Sequence, residues 1–292
     1  MPSIFPQLVS FMNGRYNANM QETARERNLP RSDQISLLAA MILLSYALAS
    51  FIDIPGREFG FQLPGVYLSF ELNFRVVIAG LVTGMTAAGT RQILRGHPNL
   101  GNEHTVGHWL LPALTSLVIG LPLYQLSPGL IWWFGYLLGG GLLILVVVAE
   151  YITLDQNDLL YTSAAIGLFA LSFALFLTLV IMLRITATRL LMILPVVFLA
   201  SGLVSLRTLH LRIHAEWQYT SALVIALIIT QLAAALHYWP ISPVAYGLTL
   251  LAPAYSLTNY LANIAEGQTP RQALTEPALV LLIIWGIAIW LR

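Results

Sequence analysis

Residues 130–152 read LIWWFGYLLGGGLLILVVVAEYI, and the stretch stays free of charge until Glu150. A bilayer core of ~30 Å takes about 20 residues of helix, so this segment is a transmembrane span by length alone. Inside it, Gly135-x-x-x-Gly139 is a small-residue stripe of the kind that lets helices approach closely. Gly139-Gly140-Gly141 is an intrinsically weak point for a helix.

Eight further apolar runs lie on either side, at 35–52, 66–90, 108–125, 159–183, 188–206, 218–238, 243–262 and 277–291. The chain as a whole is 58% hydrophobic and 9% charged, with a mean hydropathy of +0.76. A soluble domain carries about 25% charged residues. The fold expected is therefore all-α, a polytopic transmembrane helix bundle of eight or nine spans. Thr269-Pro270 is a helix start, so the last helix is expected over 270–291, with a kink at Pro277. Residues 1–34 are a polar N-terminal segment in which Ile4, Phe5, Leu8, Val9, Phe11 and Met12 suit one interfacial helix. Residues 35–292 are the bundle.

All the basic residues are arginine. With nine spans, Arg15, Arg25, Arg27, Arg31, Arg91, Arg95, Arg207, Arg212 and Arg271 share one side. Arg57, Arg184, Arg189 and Arg292 take the other. The positive-inside rule then sets the N-terminus in the cytoplasm of a multi-pass protein of the inner (plasma) membrane. The net charge of +1 offers nothing to nucleic acid. The absence of cysteine excludes disulfides and thiolate metal sites, and the absence of lysine excludes Schiff-base chemistry on a lysine. The partners expected are the lipid bilayer and, through the Gly80/Gly84 and Gly135/Gly139 faces, a second copy or other membrane subunits.

Two stretches echo each other, LYQLSPGLIWWFGYLLGGG (123–141) and LHYWPISPVAYGLTLLAP (236–253). Each carries a tyrosine, then Ser-Pro, then an aromatic-Gly pair opening a span, and an Ala-Glu follows at similar spacing. The pattern suggests a duplicated four-helix unit, 35–152 and 159–262, followed by a last helix at 270–291. An even unit keeps both copies parallel.

Polar residues inside such a chain are the functional candidates. EHTVGHW (103–109) carries His104 and His108, and LRTLHLRIH (206–214) carries Arg207, His210, Arg212 and His214. Histidines four apart share one helix face. Both pairs fall on the cytoplasmic side with Glu150, and together they form a candidate polar cluster. Histidine and arginine at a helix C-terminus offset the dipole and anchor at headgroups, and this is the preferred reading. No cofactor is predicted. The alternative is a zinc or iron ion held by His104, His108, His210 and His214, as membrane hydroxylases and desaturases use cytoplasmic histidine boxes. The adjacent histidines of those boxes are missing here. Within run 66–90, Glu71 and Arg75 stand one helical turn apart and are expected to pair inside the membrane. They are similar to half of the Glu-Glu-x-x-x-Arg motif of CAAX-type intramembrane proteases, but Phe70 replaces the first glutamate, and no catalytic role follows.

SLRTLHLRIH and LHYWPISPVAYGL resemble those of a bacterial family of polytopic membrane proteins with no assigned function. The resemblance implies a multi-span fold and no activity. The first functional reading is non-enzymatic: a transporter-like or lipid-handling protein, or a membrane subunit of a complex. The second is a cytoplasmic-face enzyme using the two histidine pairs.

Overall fold

The structure, a computed structural model, describes residues 30, 32–52, 57–63, 66–72, 74–97, 107–127, 129–186, 189–213 and 217–291. The proposed interfacial helix at the N-terminus, His104 and His214 lie outside the described residues.

Among the described residues there are nine helices and one β-hairpin. In chain order they are α1 (Ser32–Phe51), β1 (Arg57–Leu63), β2 (Val66–Leu72), α2 (Phe74–Arg95), α3 (Leu110–Gln125), α4 (Leu130–Ile152), α5 (Tyr161–Ile185), α6 (Leu190–Ile213), α7 (Tyr219–Leu236), α8 (Pro243–Ala265) and α9 (Pro270–Trp290). Six of these helices, α1, α4, α5, α6, α7 and α9, are long and apolar enough to cross a membrane. Helix α3 is apolar but has only 16 residues. Helices α2 and α8 reach 22 and 23 residues but carry more polar side chains.

The described elements are helices, as the all-α expectation has it, except for the hairpin, which corrects the first part of the expected second span. Residues 66–72 form a strand, and the helix begins only at Phe74. The strands are antiparallel, with Phe59 opposite Phe70, Phe61 opposite Leu68 and Leu63 opposite Val66. Apolar content alone joined 66–90 into one run. The period-two alternation of Phe59, Phe61 and Leu63, then Val66, Leu68 and Phe70, is the strand signal, and Pro64-Gly65 is the turn signal between them.

The helices bury one face and leave the other apolar and exposed. On α1, Ile35, Leu38, Ile42, Tyr46 and Ala49 are buried. Leu37, Met41, Leu44 and Leu48, on the opposite side, are 48–68% exposed. One core cluster joins α1 and α2 to a face of α4 through Ile42, Leu94, Leu143 and Val147. The other joins α3 to α5–α8 through Leu114, Phe176, Val197, Ile225 and Leu250. Helix α4 sits between them, and its glycines permit this. A Cβ on Gly139 would lie 2.5 Å from Ile119 of α3, and one on Gly140 would lie 2.8 Å from Leu43 of α1. Gly135 also faces α3, through Leu123. The Gly135/Gly139 stripe is therefore occupied within the chain. Gly80 and Gly84 have nothing within 4 Å of an added Cβ.

Helix adjacency repeats along the chain. Helix α1 packs on α2 and α4, α2 on α3, and α3 on α4. In the same way α5 packs on α6 and α8, α6 on α7, and α7 on α8. Trp132, early in α4, donates its indole N–H to the Leu123 carbonyl at the end of α3 (3.2 Å). Tyr246, early in α8, donates its hydroxyl to the Ala233 carbonyl near the end of α7 (3.1 Å).

Candidate functional site

Arg207 lies six residues before the end of α6, and Glu150 two before the end of α4. These positions bring them together inside the bundle, at 1% and 0% exposure. The Arg207 Nε donates to Glu150 Oε1 at 2.9 Å, and Nη2 donates to Glu150 Oε2. The second hydrogen of Nη2 goes to Thr153 Oγ1 at 3.0 Å. His108, just before α3, completes the group with Nδ1 3.2 Å from Glu150 Oε2. A carboxylate only accepts, so this contact assigns the proton to His108 Nδ1.

Both carboxylate oxygens are therefore satisfied, Oε2 twice. That is what allows a charge to remain in so dry a place, because an unpaired buried ion costs several kcal/mol. Arg207 is satisfied on two of its three nitrogens. Its Nη1 is buried without a hydrogen-bond partner among the described residues.

An aromatic stack holds His108 in position. The His210 ring lies flat on Trp217, with centroids 3.8 Å apart and an interplanar angle of 8°. His108 stands edge-on to both, 6.0 Å from His210 and 6.2 Å from Trp217. Gly107 backs the indole so closely that an added Cβ would come within 1.6 Å of it. Any side chain there would collide with the indole, so glycine at position 107 is a steric requirement.

A second polar group continues along α6. Arg212 donates to Asn259 Oδ1 at 2.7 Å and Asn263 Oδ1 at 2.9 Å on α8, and pairs with Glu266 at 2.9 Å. Deeper in the bundle, Thr258 Oγ1 donates to Ser205 Oγ at 3.2 Å, both residues being buried. A polar seam thus runs between α6 and α8 from Ser205 to Glu266.

Of the expected cluster, His108, Glu150 and Arg207 are directly bonded, His210 packs on His108, and Arg212 binds the neighbouring α8 network. Arg207 departs from its expected role as a headgroup anchor. It is an internal ion-pair partner, and Glu150 neutralises its charge. Glu71 is on β2, with Glu58 as its register partner, and Arg75 is in the first turn of α2; the side chains of the expected pair lie outside the described residues. Among the described residues no group of three or more histidines and carboxylates could hold a metal. Sequence reasoning missed Gly107, Asn259 and Asn263. The two asparagines, four apart in an apolar helix and followed by Glu266, are a polar stripe that helical spacing could have exposed.

A family model described as a protein of unknown function (DUF5656) matches residues 54–291, and the chain belongs to that family. No curated protein and no solved structure matches the chain.

Proposed function

We propose that this member of the DUF5656 family is an integral membrane protein of the transporter-like, non-enzymatic kind. The observation that carries this reading is the ion pair of Glu150 and Arg207, buried between apolar helices and continued by the α6–α8 polar seam. Charges inside a membrane bundle are costly, and pathways and binding sites are where they repay that cost. The exposed apolar faces of α1, α4 and α9, with Leu44, Leu137 and Leu282 each 68% exposed, suit contact with lipid.

In this reading the chain makes eight or nine spans in a bacterial plasma membrane. Its arginine-rich side and N-terminus face the cytoplasm. The matching adjacencies of α1–α4 and α5–α8 favour a parallel duplication, with α4 and α8 as counterparts. Each of these two helices ends near a glutamate that binds an α6 arginine, Glu150 with Arg207 and Glu266 with Arg212. The open Gly80/Gly84 face is the surface offered to a second copy.

The test is flux in proteoliposomes against a panel of small anions, cations and neutral solutes. Protein-dependent movement of one class, lost in Glu150→Gln, supports the reading. Absence of flux across the whole panel overturns it. The approach of His108 to His210 keeps the cytoplasmic-face enzyme as a second reading. Stoichiometric zinc or iron in protein purified without an affinity tag, lost in His108→Ala, would favour that one.

A further inference from the structure

We infer that Nη1 of Arg207 is the docking point for an oxyanion, and that the anion binds together with a proton taken up by His108. The inference rests on the transporter-like reading and adds the class of solute to it.

Three features lead there. The Nη1 group is a buried donor with no partner among the described residues, while Arg207 Nε and Nη2, both Glu150 oxygens and His108 Nδ1 are bonded. An unsatisfied buried donor is costly, and the strongest complement of a guanidinium arm is an anionic oxygen. The site is also close to the inner surface: six residues separate Arg207 from the end of α6, about 9 Å at 1.5 Å per residue.

The proton follows from charge. Glu150 already neutralises Arg207, so an anion entering alone would leave net negative charge in a dry site. The groups facing His108 are Glu150 from α4, Arg207 and His210 from α6, and Trp217 from the following link. Tyr161 of α5 is within electrostatic reach of Arg207. Among these, His108 shares the Glu150 carboxylate with Arg207. A proton on its second nitrogen makes it a cation bonded to that carboxylate. The anion then bonds Arg207, and the site remains neutral overall.

Calorimetry on protein in phosphatidylcholine nanodiscs, with inorganic phosphate as the probe and two buffers of different ionisation enthalpy, tests this. The wild type should bind phosphate with proton uptake. Arg207→Lys keeps a cation beside Glu150 but lacks the second arm, and should bind roughly tenfold or more weakly, the range for one charged hydrogen bond. His108→Gln keeps an N–H for Glu150 but takes no proton, so its binding should be weak and without proton uptake. A parallel arm uses nanodiscs containing phosphatidic acid. If that lipid is retained by wild type, lost by Arg207→Lys, and excludes free phosphate, the oxyanion is a headgroup. Failure of folded wild type to bind either source, or undiminished binding by Arg207→Lys, overturns the site and leaves water as the Nη1 partner. Binding without flux overturns the transport reading alone. Anion flux unchanged in Arg207→Lys overturns the site alone.

Discussion

Trp285 of α9 donates its indole N–H to the carbonyl of Thr249 on α8 at 3.2 Å. Pro253, four residues on, has no N–H to give that carbonyl. The exchange is reciprocal. Pro277 leaves the Ala273 carbonyl of α9 without its helical donor, and Asn263 of α8 donates to it at 3.1 Å. Each proline thus opens a carbonyl that the other helix closes. Trp285→Phe should destabilise the folded protein by about 1–3 kcal/mol, the cost of a buried acceptor left unmade. Pro253→Ala in the same chain should recover part of the loss, because it restores the helical donor. Thermal melts in one detergent measure both, and additive effects would show that the two residues are not coupled.

Gly107→Ala should separate Trp217 from His210. The added methyl overlaps the indole, and overpacking costs about 1–3 kcal/mol. Trp217→Leu should reduce the penalty of Gly107→Ala, since the colliding ring is gone. Equal penalties in both backgrounds would mean that the indole is not what forbids a side chain at 107.

Arg207→Leu should cost about 3–5 kcal/mol, because Glu150 stays buried with only His108 beside it. The double replacement Glu150→Leu, Arg207→Leu should be milder than Arg207→Leu alone. Denaturation midpoints compare them, and a double variant worse than the single would count against a buried ion pair.

His97 lies just past the end of α2, buried at 4% exposure, with its ring against Tyr151. Burial lowers its pKa below 6.5, and the nearby Asp155 and Asp158 offset part of that shift. The unfolded chain therefore takes up this proton first as pH falls. Stability from His97 is full above pH 6.5 and declines as pH drops from there toward the lowered folded value. His97→Gln should flatten this part of the stability profile. A profile as steep as wild type would assign the loss to another group.

Reporter fusions after Arg31 and after Arg292 should report opposite sides of the membrane, the first cytoplasmic, if nine helices all cross. The same side for both would mean an even number of crossings.

The helices were legible because length and hydropathy are local. Run 130–152 coincides with α4, and Thr269-Pro270 marks the start of α9. The hairpin was legible in principle, through its period of two, but apolar content hid it. Residue types alone made Glu150, Arg207 and the histidines candidates, and no local rule could say which of them meet. Glu150 and Arg207 stand 57 positions apart, and His108 and Glu150 stand 42 apart. Packing of α4 against its glycines, and of Gly107 against Trp217, decides those meetings. The sequence by itself determined that this chain forms apolar helices, because each helix closes its own backbone hydrogen bonds. Only the tertiary structure decided that Arg207 is an ion-pair partner rather than a headgroup anchor, because its charge had to find Glu150 through space.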